Sequence, residues 1–161
     1  MERITPDAEL FMNLARVGHV VPVFREILAD LDTPVGAFLK IDDGRWSFLL
    51  ESVEGGETWG RYSFLGSAPR WVFRSSGRRV SVEKPAIGIQ ETTVEDPLAS
   101  LKELITSHRA VSVPGLPRFF GGAVGYLGYA MARFWERLPA PKPDGMGMPE
   151  CTFLGGSDLV I

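Results

Sequence analysis

Apolar residues recur at two different periods along the chain, and the changes of period divide it into short helices and strands. Thr5-Pro6-Asp7 supplies a hydroxyl to cap, a proline suited to the first helical position and an acid for the first turn. Leu10, Leu14 and Val17 follow at helical spacing until Gly18 ends the element. Val20 to Phe24 is β-prone, but Pro22 restricts it to an edge or an irregular extended piece. Thr33-Pro34 opens a second short helix, with Gly44 in the turn beyond it.

Strands come next. Trp46 to Val53 is the first; when extended, Trp46, Phe48, Leu50 and Ser52 share one face, and Ser47, Leu49 and Glu51 the other. Tyr62 to Ser67 is the second. Trp71 to Arg74 and Val80 to Glu83 flank Ser75-Ser76-Gly77 and predict a hairpin. Residues 84 to 95 form a polar connection containing Pro and Gly, with a short strand near Ile87 as an option. Asp96-Pro97 repeats the cap-plus-proline device, and Leu98, Leu101 and Ile105 make the buried stripe of that helix.

Val113 to Pro117 is a loop. Arg118 to Gly128 is rich in glycine and aromatics and predicts a strand with close backbone contacts. Tyr129 to Glu136 is a short helix, Pro139 to Pro149 an extended surface loop, and Cys151 to Leu154 and Leu159 to Ile161 are strands. Hairpins and helices are set apart, so the fold class is α+β: a mixed, mainly antiparallel sheet with flanking short helices.

Composition narrows the function classes. A chain of 161 residues fits one domain with a sizeable core. Its net charge of −3, from 17 basic and 20 acidic residues, gives no reason to invoke nucleic acid or an acidic membrane surface. Arg74, Arg78 and Arg79 form a small basic cluster that reads as a solvated hairpin face. The single cysteine, Cys151, cannot form an internal disulfide and fits a reducing cytoplasm. Nothing beside it suggests an activated thiolate, so it reads as a small apolar residue. No apolar run approaches the length of a membrane span, and the amphipathic start with Asp7 and Glu9 is unlike a secretory signal.

His19 and His108 lack Cys or Asp at ligand spacing and read as structural or solvated, not as metal ligands. Glu54 and Glu57 read as loop charges, and no paired-carboxylate or nucleophile–base arrangement stands out. The run Gly121 to Gly128 lacks the spacing of GxGxxG and any GK[ST], so its glycines point to tight strand packing and not to a phosphate loop.

The candidate chemistry lies where Phe48-Leu49-Leu50 walks into Glu51-Ser52, then into acidic glycines, then into Trp59-Gly60-Arg61-Tyr62. A carboxylate and a hydroxyl beside an apolar run are costly to bury unless something hydrogen-bonds them, which makes the segment a candidate pocket wall. Two readings stay open. Glu51 and Ser52 either receive a ligand or satisfy backbone groups where the strand ends. If residues 53 to 60 fold back, Arg61 and Tyr62 return towards Ser52. Arg61 then either faces a ligand carboxylate or pairs with Glu51, Glu54 or Glu57 on the surface, where the pair would contribute little.

Three blocks carry a family resemblance: Leu49 to Gly66; Phe120 to Tyr129 with Arg133 to Pro139; and Thr33-Pro34-Val35 with Ala37 to Lys40. In this order, over essentially all of the chain, they resemble the amino-terminal half of anthranilate synthase component I. The resemblance implies a tryptophan feedback site at Leu50, Glu51, Ser52, Arg61 and Tyr62. It implies a parent enzyme, a lyase, that makes anthranilate and pyruvate from chorismate with Mg2+ and with ammonia from a glutamine amidotransferase partner (component II). In that family the acid–base groups and magnesium-binding glutamates sit in the carboxy-terminal half, together with an Asn-Pro-Ser-Pro-Tyr-Met-like part of the inhibitor pocket. Residues 1–161 are therefore expected to be the amino-terminal domain, inactive alone, ending before the chorismate-binding catalytic domain.

The family continues with an Asp-His pair where this sequence stops, within the β-prone run Asp158 to Ile161. It also continues Gly-Tyr-Asp where Ala130 stands, which removes one local ion-pair partner from Arg133. Other readings are aminodeoxychorismate synthase component I, a close relative, and a free-standing amino-acid-binding module. A further reading is a dimerisation element whose bare apolar face self-associates.

Overall fold

The computed structural model describes residues 3–51, 62–108, 110–139 and 147–161. Among the described residues, three helices, α1 (Ala8–Leu14), α2 (Pro34–Ile41) and α3 (Pro97–Thr106), accompany two antiparallel sheets. The smaller sheet has the order β1 (Phe48–Leu50), β2 (Phe64–Ser67), β8 (Asp158–Val160). The larger runs β5 (Gly88–Thr93), β4 (Arg79–Lys84), β3 (Trp71–Ser76), β7 (Cys151–Gly155), β6 (Ala123–Leu127). This is the α+β class, with every strand pair antiparallel.

Strand alternation explains the layering. On one face of the large sheet, Trp71, Phe73, Val80 and Cys151 meet Leu101 of α3 and Met131 of the 3-10 turn Tyr129–Phe134. Phe73 is 1% and Cys151 0% exposed, so this is the centre of the core. On the other face, Val124 and Leu154 meet Phe48 and Leu159 of the small sheet. The five-stranded sheet is thus covered by helices on one side and partly by three strands on the other.

Aromatic side chains crossing glycines recur in both sheets. Phe48 lies opposite Gly66, Trp71 opposite Gly155 and Phe153 opposite Gly125. A Cβ on Gly66 would stand 2.2 Å from the Phe48 ring, and one on Gly155 2.0 Å from the Trp71 ring. Only a residue without a side chain lets the ring cover its neighbour's backbone there.

Several expectations shift. Asp7, not Thr5, caps α1, its Oδ1 accepting from Leu10 N at 2.9 Å. Thr5 is committed elsewhere, exchanging two 2.8 Å backbone bonds with Phe24. Leu10 and Val17 are exposed rather than core-facing. β1 is shorter than the Trp46–Val53 run because Asp42 Oδ1 accepts from Gly44 N and Ser47 Oγ and holds the entry as a turn. Residues 52 and 53 lie outside the described residues. The polar connection 84–95 contains a six-residue strand, β5, exposed along its whole length. An edge strand with no buried face leaves no apolar alternation to read.

On α3, Asp96 Oδ1 accepts from Leu98 N and Ala99 N as its cap. Leu104 packs on the core in place of Ile105, which is 37% exposed. The basic cluster is not wholly solvated either: Arg74 pairs with Glu83 at 2.7 Å and lies 5.5 Å from the Trp46 ring.

Candidate functional site

The candidate segment leaves the small sheet at its β1–β2 end. α2 positions that sheet. Its first turn is fixed by Thr33, whose Oγ1 accepts from Gly36 N at 3.0 Å, and by Pro34 at the first helical position. The helix packs against β1 and β2. Leu65 on β2 is 3% exposed and anchors the sheet.

β1 and β2 pair as Phe48↔Gly66, Leu49↔Leu65 and Leu50↔Phe64. Leu50 and Phe64 therefore face the same way, side by side. Tyr62 continues this apolar row, its ring 6.0 Å from that of Phe64, which in turn meets Phe119 edge-on at 5.2 Å. Edge-to-face contacts of this kind hold ring positions tightly. The row is closed at one end and open at the other: Leu50 is 43% and Tyr62 42% exposed. Glu51 follows Leu50 directly and is exposed.

Of the five residues expected to line a pocket, the structure brings Leu50 and Tyr62 to one end of the small sheet, with Glu51 beside them. Ser52 and Arg61 lie outside the described residues. Phe64 and Phe119 were not among the expected residues. The Tyr62/Phe64 alternation signals the first, whereas Phe119 arrives from a distant loop and carries no local signal. At the closed end, Phe48, Phe119, Val124, Leu154 and Leu159 surround a cavity of only about 10 Å³, room for one water. The open end, not this gap, is where a larger guest would sit.

The block Phe120 to Tyr129 with Arg133 to Pro139 is structural in character. At Gly125 a Cβ would stand 2.0 Å from Thr152 O, the tight packing its sequence implies. Arg133, without an acid at position 130, donates from Nε to the Ala130 carbonyl at 2.9 Å and pairs with Glu150 at 3.4 Å. Burial pushes the Cys151 thiol above its ordinary value, against a smaller opposing effect of its hydrogen bond with Ser75. A thiol so placed is a packing group and not a nucleophile. Among the described residues, no group of three or more His, Cys, Asp and Glu could hold a metal ion, and no helix is long and apolar enough to cross a membrane.

Known proteins agree with the sequence blocks. The chain is 42% identical over 156 residues to "Anthranilate synthase component 1" of Pseudomonas putida, covering 95% of the chain and 32% of that protein. It is 37% identical over 148 residues to the protein of that name from Acetivibrio thermocellus, covering 92% of the chain and 30% of the relative. The chain resembles the amino-terminal domain of anthranilate synthase component 1. A third relative of that name, from Synechocystis sp., is 39% identical over 160 residues, 98% of the chain and 31% of its own length. The chain thus spans about a third of the length of the curated relatives it matches. No family model matches it.

Proposed function

We propose that this chain is the regulatory and structural amino-terminal part of an anthranilate synthase, a lyase acting on chorismate in tryptophan biosynthesis. The observation that carries the reading is the similarity over 95% of this chain to proteins of that name that are three times as long. The chorismate chemistry, its Mg2+ and the glutamine amidotransferase partner belong, in this reading, to the rest of the enzyme. The described residues of this chain offer no cluster suited to the metal.

Within that enzyme, Leu50, Glu51, Ser52, Arg61 and Tyr62 form this domain's half of a pocket for tryptophan as feedback inhibitor. The physical support is the half-open row of Leu50, Tyr62 and Phe64, with the exposed Glu51 next in sequence to Leu50. Apolar and aromatic walls suit an indole ring, Glu51 suits its ammonium, and Ser52 and Arg61 suit its carboxylate and polar edge. Inhibition requires tryptophan to bind the inactive arrangement better than the active one, the difference being the coupling free energy.

In a full-length enzyme carrying this chain, Ser52→Ala or a bulky replacement should relieve inhibition by tryptophan and spare basal turnover. Equal loss of both would sink the regulatory assignment, and product identification would separate anthranilate from aminodeoxychorismate.

A further inference from the structure

The large sheet ends on β6, and no strand lies beyond it among the described residues. Backbone bonds at the two ends of the β6–β7 ladder fix which groups of β6 face outward. Gly156 N donates to Gly122 O at 3.1 Å, and Gly128 N donates to Glu150 O at 2.7 Å. Positions along an antiparallel pair alternate between bonded and non-bonded. With Val124 opposite Leu154 and Tyr126 opposite Thr152, the residues bonded to the β7 side are therefore Gly122, Val124, Tyr126 and Gly128. Ala123, Gly125 and Leu127 each turn an N–H and a C=O away from the sheet.

This edge lacks the devices that keep exposed strands from pairing. Natural edges are blunted by shortness, charge or proline. β1 and β8 have three residues each, and β8 carries Asp158. β5 carries Gln90 and Glu91. β6 has five residues, and no charged residue or proline occurs from Phe119 to Ala132. Apolar surface flanks the same edge: Leu127 is half exposed, and Tyr129, just beyond the strand, is 86% exposed. Open backbone groups in a row beside apolar side chains suit an added strand, the main chain giving affinity and the side chains specificity.

We propose that β6 pairs with a strand from the remainder of the enzyme's own polypeptide, which extends the large sheet by one strand. This rests on the reading of the chain as one part of an anthranilate synthase. Length selects the occupant: the matched relatives are about three times as long as the stretch they share with this chain. Most of such an enzyme is then available to cover the edge, and a tethered strand does so at high effective concentration. A second copy of this chain is the competing occupant.

The test is hydrogen–deuterium exchange resolved to single amides, comparing a full-length enzyme carrying this chain with the 161-residue chain. The amides of Ala123, Gly125 and Leu127 should exchange about a hundredfold more slowly in the full-length enzyme. Those of Val124 and Tyr126, bonded to β7, should be slow in both. Leu127→Pro deletes an outward donor and leaves the β7 bonds in place. It should lower the melting temperature of the full-length enzyme and leave that of the 161-residue chain unchanged. Equal exchange of the three amides in the two proteins, or an equal drop in both melting temperatures, would overturn the proposal. Protection that vanishes when a full-length oligomer is diluted to monomers would overturn it too, and assign the edge to a second copy. Product analysis is a separate readout: a full-length protein that forms no anthranilate from chorismate sinks the functional reading, whatever the amides do.

Discussion

Glu150 and Arg133 meet at 3.4 Å, and the same Glu150 side chain accepts a 3.0 Å bond from Gly77 N in the β3–β4 turn. One carboxylate thus ties the 3-10 turn to the tip of the hairpin across the edge of the sheet. Its own backbone continues the bracing, with Glu150 N donating to Ser75 O and Gly128 N donating to Glu150 O. Arg133 recovers here the partner that Ala130 does not provide.

Glu150→Ala should therefore lower stability by about 2 kcal/mol, read from urea unfolding. Glu150→Gln, which retains the acceptor for Gly77, should cost less. Arg133→Ala should cost about 1 kcal/mol or less, because both side chains keep roughly a quarter of their surface in water. A larger loss from Arg133→Ala than from Glu150→Ala would contradict the assignment of the main role to the Gly77 bond.

Gly125 and Gly121 should respond in opposite ways to alanine. At Gly125 the new methyl would overlap Thr152 O and Phe153, forcing edge strand β6 away from β7 at a cost of about 2 kcal/mol. At Gly121 it meets nothing within 4 Å, and the change should be neutral within about 0.5 kcal/mol. Thermal melting of the two variants side by side checks the pair.

Much of the architecture was visible in the residues, because capping and alternation are local. Thr33-Pro34 and Asp96-Pro97 start helices where the side-chain oxygen reaches the first-turn amides. Trp71, Phe73 and Val80 announce a hairpin, and all three lie in the core. β5 was legible only as an optional short strand near Ile87 because both of its faces are exposed, and the cap of α1 was misplaced because Thr5 is claimed by Phe24, a long-range pairing. Leu50 and Tyr62 were legible as neighbours once a strand reversal was granted. Phe119, which braces Phe64, was not, since only tertiary packing brings it there.

Cys151 should stay unreactive towards thiol reagents at neutral pH until the protein unfolds, because it is fully buried and its thiolate is disfavoured. The sign of the linkage follows. A thiol whose folded pKa is raised contributes its full stability below the unfolded value. That contribution is lost as pH rises through the folded value. Urea midpoints should thus fall at alkaline pH in the wild type, with a smaller fall in Cys151→Ala. An identical pH profile for both proteins would contradict the link.

Tryptophan should bind this chain by itself only in the millimolar range or more weakly, about −4 kcal/mol or less favourable. In the proposed reading, residues beyond this chain complete the pocket, and the Leu50–Tyr62 end is half open. Micromolar affinity in calorimetry would show instead that this chain contains the whole receptor.

β7 lies inside the large sheet, between β3 and β6, yet its residues follow its neighbour β3 by a long stretch of sequence. During synthesis on the ribosome, β3 and β4 emerge well before β7 can reach them, a delay on the order of ten seconds at ordinary elongation rates. For that interval Trp71 and Phe73 have no strand beside them on one side. A nascent chain paused between Lys84 and Pro149 should therefore engage chaperones or be cut by proteases far more readily than one that has passed Gly155.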